Sequence, residues 1–194
     1  GRSAVFTLPA HVSYLSSGGD PLLAIYGVNP SVLYTIGGSG SILWQSRILA
    51  EYRNYDELDD RDGAYFAVDE NMKQLFGDGR HSVNMGFQVF YAHADEKSYE
   101  HTGTSLSLGL GLALPWNTRL SCRGRYMRSE YAEKETLALD TRKDTQNQLI
   151  MGLTKRFGDY WGLSLNYVKT ENNSTFSLYH YDRDVLAVNT FFEF

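Results

Sequence analysis

Apolar and polar residues trade places at every second position along most of this chain, the period of a β-strand rather than of a helix. Phe6, Leu8, Ala10, Val12 and Tyr14 alternate with Thr7, Pro9, His11 and Ser13. Tyr26, Val28, Val32, Tyr34 and Ile36 alternate with Gly27, Asn29, Ser31 and Thr35. From Ile42 to Tyr52 one face carries Ile42, Trp44, Ile48, Ala50 and Tyr52, the other Gln45, Arg47 and Glu51, with Arg53 just beyond. The pattern is weakest over Ala64–Leu75, where Asp69, Glu70, Asn71 and Lys73 interrupt it. It is strong again at Val83–Tyr91 and strongest at Leu106–Leu114, where five leucines face Ser107, Gly109, Gly111 and Ala113. Leu120, Cys122, Gly124 and Tyr126 oppose Ser121, Arg123, Arg125 and Met127; Leu149, Met151, Leu153 and Phe157 oppose Gly152, Thr154 and Arg156. Leu163, Leu165 and Tyr167 oppose Ser164, Asn166 and Val168. In the closing stretch Leu186, Val188, Thr190, Phe192 and Phe194 share one face, and Ala187, Asn189, Phe191 and Glu193 the other. Ten strands are expected, in one all-β domain spanning 1–194.

The connections alternate in length. Gly37–Ser41, the Gly-Asp-Gly-Arg turn after Phe76, Pro115–Asn117 and the Gly-Asp-Tyr turn before Trp161 are short. The stretches 53–63, 94–101, 132–145 and 169–183 are longer and polar. Short turns on one rim and long loops on the other are the habit of membrane-spanning β-barrels. Aromatics gather at the strand ends: Trp44, Phe76, Trp116, Trp161 and Phe194 toward the short turns, Tyr14, Tyr52, Tyr91, Tyr126 and Tyr167 toward the loops. These resemble the two aromatic girdles of a barrel at its lipid interfaces. The closing strand, with Leu186, Val188, Phe192 and Phe194 on one face, resembles the last strand of bacterial outer-membrane barrels, a segment that the barrel-insertion machinery of that family reads. A soluble sandwich or lipocalin-like barrel would also alternate, but its polar face would be charged and solvated. Here that face is rich in Gly, Ser, Asn and Thr, which suits a crowded lumen. The expected fold is an antiparallel up-and-down transmembrane β-barrel in the outer membrane.

Composition narrows the rest. With 18 basic and 23 acidic residues the chain carries a formal charge of −5, which argues against a nucleic-acid partner. Fourteen tyrosines and 18 glycines favour strands and interfaces. A mean hydropathy of −0.37 and the lack of any run of about 18 apolar residues exclude a transmembrane helix. They say nothing against a barrel, in which only alternate residues meet lipid. Cys122, the one cysteine, forms no internal disulfide and by register is a small apolar residue on the lipid face. Gly1-Arg2-Ser3 opens the sequence without the apolar stretch of a secretory leader. A processed chain and a piece of a longer one are both consistent with that.

The segment 142–194 adds a family likeness. Its polar-capped strand, aromatic turn, Trp161-x-Leu163-x-Leu165-x-Tyr167 strand, Asn173-Ser174 loop and Tyr179-x-Tyr181-Asp182-Arg183 motif resemble the carboxyl-terminal barrels coupled to periplasmic tetratricopeptide repeats. That group includes surface lipoprotein assembly modifiers and related β-barrel porins. The resemblance implies export or surface display of a macromolecule, with an exported cargo and a periplasmic helical-repeat domain as partners. Such barrels usually have about fourteen to sixteen strands, so the chain is either a small relative or the end of a larger barrel.

The candidate lumen-lining residues are Arg47, Glu51, Arg53, Arg123, Arg125, Arg156 and Glu193. They could form an electropositive constriction for anions or an acidic polymer, or a charge-paired plug. Arg123 and Arg125, two apart with no acid between them, are the best pair for a pore. An enzyme would need a nucleophile beside His93, His101 or the His180–Asp182 pair, and none is placed there, so no catalytic residue is assigned. The acidic loop Asp56–Gly63 lacks the spacing of a calcium loop and reads as solvated. Gly37–Ser41 and Gly109–Leu114 are too short to cradle a phosphate. No metal or cofactor is expected. The leading function is a pore or export component. The second is a closed barrel whose long loops bind a surface partner or lipopolysaccharide.

Overall fold

Among the described residues, 3–17, 20–37, 42–56, 58–134, 140–158 and 160–192, the computed structural model is one antiparallel sheet of twelve strands. They are β1 (Ser3–Thr7), β2 (Ala10–Ser17), β3 (Asp20–Val28), β4 (Ser31–Ile36), β5 (Ile42–Tyr55), β6 (Gly63–Phe76), β7 (His81–Ala92), β8 (His101–Leu114), β9 (Thr118–Tyr131), β10 (Lys143–Phe157), β11 (Trp161–Ser174) and β12 (Tyr181–Phe192). From β4 to β12 each strand pairs with the next in sequence; β1 lies on β4, β2 on β3, and β3 beside β4 along β5. No pairing joins the β1–β2 side to β12, so the sheet is not closed among the described residues.

Twelve segments make ten spans. Two of the expected ten strands are each divided by a proline, Pro9 between β1 and β2 and Pro30 between β3 and β4. Register runs straight through both breaks: Val28 faces Ala50 and Ser31 faces Arg47 on β5, while Ala10 faces Val28 and Thr7 faces Ser31. A proline removes one donor and leaves its carbonyl. Those carbonyls still accept, Pro9 O from Asn29 N and Pro30 O from Ile48 N, both at 3.0 Å.

Ladder partners share a face, so register sorts the side chains. The outer face joins Tyr34, Trp44, Met72, Met85, Leu108, Gly124 and Leu149 in one row. The other face joins Gln45, Asn71, Gly86, Ser107, Arg125, Gln148 and Thr170. Ala64–Leu75, where the alternation is poorest, is a full strand: Asp69, Asn71 and Lys73 take the polar face, and Glu70, with Gln74 near the strand end, breaks the apolar one. The Glu70 carboxylate accepts from Trp44 Nε1 and Ser46 Oγ, both at 2.7 Å, which offsets part of its desolvation.

The apolar band crosses the rows obliquely. Ile48, Val68 and Val89 lie in it on β5–β7, while the same row continues as Thr104, Arg128 and Thr145 on β8–β10. Strands tilted to a membrane produce that drift. It also corrects the expected loops. β9–β12 run past the band to Tyr131, from Lys143, to Ser174 and from Tyr181, so 132–145 and 169–183 are partly strand. Tyr126 and Tyr167 accordingly sit mid-strand rather than at strand ends.

Curvature is visible on the polar face. One cavity of about 240 Å³ is bounded by Arg47 on β5 and by Gln148 and Ile150 on β10. Five flat strand spacings would hold them roughly 24 Å apart, so the sheet curls around this face. Two turns place non-glycine residues in left-handed backbone: Asp78, between Gly77 and Gly79 (φ 59°, 56° and 82° along the three), and Trp116–Asn117 (φ 59° and 55°). The turn at 38–41 lies outside the described residues.

Gly103 fits a tight place on the polar face. A Cβ there would meet the Phe90 ring and stand 2.6 Å from Arg128 O, whereas one on Gly124 would meet nothing within 4 Å. Gly103→Val is expected to destabilise the folded protein by about 1–3 kcal/mol, and Gly124→Ala to stay within about 0.5 kcal/mol. Urea unfolding in lipid vesicles, followed by heat-modifiable gel migration, reads both.

Candidate functional site

Register puts Arg47, Glu51, Arg53, Arg123, Arg125 and Arg156 on the polar face. The structure divides them by what they touch. Arg47 donates from Nε to Asp69 Oδ2 at 2.8 Å, and Asp69 is only 3% exposed. Glu51 accepts from Arg53 at 2.8 Å and lies 3.3 Å from His11 Nε2. Arg53 also lies over the Tyr65 ring, 4.0 Å from its centre. These charges are neutralised where they stand, as in a plug.

Arg123 and Arg125 differ. Arg123 donates to Ser107 Oγ at 3.0 Å; Arg125 donates to Ser105 Oγ at 3.2 Å and across β8 to Gln88 Oε1 at 2.9 Å. Among the described residues neither pairs with a carboxylate. Glycines make room for arginine side chains to lie flat: the Arg123 guanidinium is 3.7 Å from where a Gly86 Cβ would be, and that of Arg119 3.3 Å from where a Gly111 Cβ would be. Arg119 continues the series on the same face, opposite Ala113 and Thr154, and lines a cavity of about 650 Å³ with Lys73, Asn84 and Arg123. Sequence reading missed Arg119 by starting its strand at Leu120. Its spacing of four and six residues from Arg123 and Arg125 was the available signal. Arg156 lies 5.9 Å from the centre of the Phe191 ring at the short-turn end.

At the other end the connections fold over the polar face and are laced by backbone bonds. Asp95 N donates to Asp62 O and Glu96 N to Asp60 O, both at 2.9 Å; Ala132 N reaches Glu100 O at 2.9 Å and Tyr131 N reaches Arg142 O at 3.0 Å. The acidic stretch after Tyr55 is partly spoken for: Asp62 accepts from Asn54 Nδ2 at 2.7 Å and from Tyr55 N at 2.6 Å. A hydrogen bond from His93 Nδ1, 2.9 Å away, holds the Glu100 carboxyl below the usual range. Arg142 and Asp144, both buried, pair by a fork of hydrogen bonds. Neither stood out in the sequence, because loop and strand-end positions carry no alternation.

Leu186, Val188 and Phe192, the expected insertion signal, stand on the outer face of β12, 63–67% exposed. Phe194 and Glu193, the remaining members of the two expected sets, lie outside the described residues.

Losing Asp69 would leave Arg47 without its carboxylate on a crowded face. Because Arg47 is itself 38% exposed, the expected cost of Asp69→Ala is about 1–3 kcal/mol, and a joint Arg47→Leu/Asp69→Leu change should cost less. Urea midpoints of the two variants in vesicles test the difference.

Comparison with known proteins agrees with this geometry. Among solved structures the chain resembles OmpTdeltaL8, a loop L8 deletion mutant of OmpT, an outer membrane protein of Vibrio cholerae, with a TM-score of 0.66 and 7% identity. The match covers 99% of this chain and 62% of that one, so this chain spans less than two thirds of its structural neighbour. At that identity the likeness speaks for the fold. Comparison with curated proteins returned no match. The sequence matches the family described as Surface lipoprotein assembly modifier over residues 3–192. An outer-membrane barrel wall, read first from alternation and then from register, and a family match over nearly the whole length meet in one conclusion: the chain belongs to the surface lipoprotein assembly modifier family and is a β-barrel protein of the bacterial outer membrane.

Proposed function

We propose that the chain forms part of the wall of an outer-membrane passage serving the assembly of surface lipoproteins, with Arg119, Arg123 and Arg125 lining the route. The observation that carries this reading is that Arg123 and Arg125 are bonded to serine and glutamine rather than to acids, with Arg119 next to them on the same face. A guanidinium held by neutral partners keeps its positive field, and a low-dielectric wall focuses it. The plug-like pairs brace the wall at β5, Arg47–Asp69 across to β6 and Arg53–Glu51 within the strand itself.

The passage needs a closed circumference. Among the described residues β12 and the β1–β2 side present unpaired edges, which hydrocarbon does not tolerate. Further strands pairing along those edges would complete the barrel, and the 62% coverage of the structural neighbour leaves room for them. The partners in this reading are an exported lipoprotein, the barrel-insertion machinery, outer-membrane lipid with lipopolysaccharide, and a periplasmic helical-repeat domain. No residue is given a catalytic role. A second reading, in which the loops dock a surface partner, draws support from the backbone bonds that join 60–62 to 95–96, Glu100 to Ala132 and Tyr131 to Arg142.

Planar-bilayer recording of the full-length protein decides between them. The passage predicts discrete conductance with anion preference, and a reversal potential moved toward cation preference by Arg123→Glu/Arg125→Glu. A folded double variant with unchanged selectivity, or a folded parent without conductance, would sink it.

A further inference from the structure

Where the loops close over the long-loop end of the polar face they enclose a cavity of about 230 Å³. Its wall includes three arginines, Arg53, Arg61 and Arg142, and five tyrosines, but no Asp or Glu. Each arginine lies against a tyrosine ring: Arg53 on Tyr65 at 4.0 Å, Arg61 on Tyr99 at 4.7 Å, and Arg142 between Tyr131 at 4.2 Å and Tyr179 at 3.2 Å. Two of the three charges are answered from behind, Arg53 by Glu51 and Arg142 by Asp144.

Arg61 is not answered in that way. Among the described residues it pairs with no carboxylate, and its Nε is buried without a hydrogen-bond partner. A buried guanidinium N–H normally has an acceptor. The surroundings are also fixed: Arg61 N donates to Leu58 O at 2.8 Å, and the neighbouring Asp62 and Asp60 carbonyls tie the loop to 95–96. A rigid guanidinium fork is suited to phosphate. Tyrosine rings offer flat faces for the C–H side of a sugar ring, and their hydroxyls suit its polar edge. The volume lies below the roughly 300–1,000 Å³ of drug-sized sites, which favours one small ring over a peptide segment.

We propose that this cavity binds a single phosphorylated sugar unit, its phosphate on Arg61 and its ring against the tyrosines. The site stands on the geometry of the mouth and does not depend on whether the lumen conducts. Calorimetric titration of the full-length protein in mild detergent with glucose 6-phosphate tests it, with glucose and inorganic phosphate as separate probes. The expected result is saturable binding that weakens with added salt, at least tenfold tighter than for either probe alone. Arg61→Ala should weaken it at least tenfold, and Arg61→Lys less, with heat-modifiable migration showing both variants folded. Competition by deacylated lipopolysaccharide core oligosaccharide would place the sugar on lipopolysaccharide; binding of glucose 6-phosphate without such competition would assign it to a free or capsular sugar phosphate. The absence of saturable binding, equal binding of inorganic phosphate, or undiminished binding by folded Arg61→Ala would overturn the proposal.

Discussion

Hydrocarbon offers a polypeptide no hydrogen-bond partners, so a segment crossing it must satisfy its own backbone. The consequences run through every level of this chain. Strands of 12–15 residues from β5 onward pair with both neighbours until the edge at β12. Pro9 and Pro30 fall one residue out of step across the first hairpin, where one missing donor on each strand is tolerated and the remaining carbonyls stay bonded. Even the stray acid of the apolar face, Glu70, survives because a tryptophan and a serine on β5 supply its donors.

The inner face obeys a different economy. A curled sheet crowds its concave side, so that side is built from glycine, serine and asparagine wherever a long side chain must lie down. Arg125 can reach Gln88, two strands away, because Ser105 stands between them and itself accepts a bond. The same crowding sets where charge is stored. Beside β5 and β6 Arg47 and Arg53 each have an acid of their own, whereas on the inner face of β9 Arg123 and Arg125 rest on neutral groups. Neutralised and field-bearing cations thus occupy different strands of one wall.

Much of this was written in the alternation. The face taken by Arg47, Arg53, Arg123 and Arg125, and by Leu106, Val89 or Met151 opposite them, follows from counting by twos, because lipid and lumen impose opposite demands on successive residues. The readings that needed correction lie where that contrast fades. Asp69, Asn71 and Lys73 obscured β6 only because Glu70 between them removed the apolar beat. Lys143–Thr145 and Lys169–Ser174 looked like loop because, above the lipid, both faces of a strand are polar and pairing continues without a hydrophobic signature. Arg61 and Arg142 had no periodic neighbour to point at them; only the folding of the loops over the sheet brings them within reach of Tyr99, Tyr131 and Tyr179.

The length of the later strands has a consequence for how the molecule meets its surroundings. β9, β10 and β11 run 14, 15 and 14 residues. At about 3.3 Å per residue and a tilt near 40° each rises about 35 Å, against an apolar band of about 25 Å. The surplus of about 10 Å forms a collar standing above the membrane, ringed outside by Arg128, Glu130, Lys143, Lys169 and Glu171. The mouth and its tyrosine-faced arginines therefore stand beyond the apolar band, at the level where polar headgroups and water meet the protein.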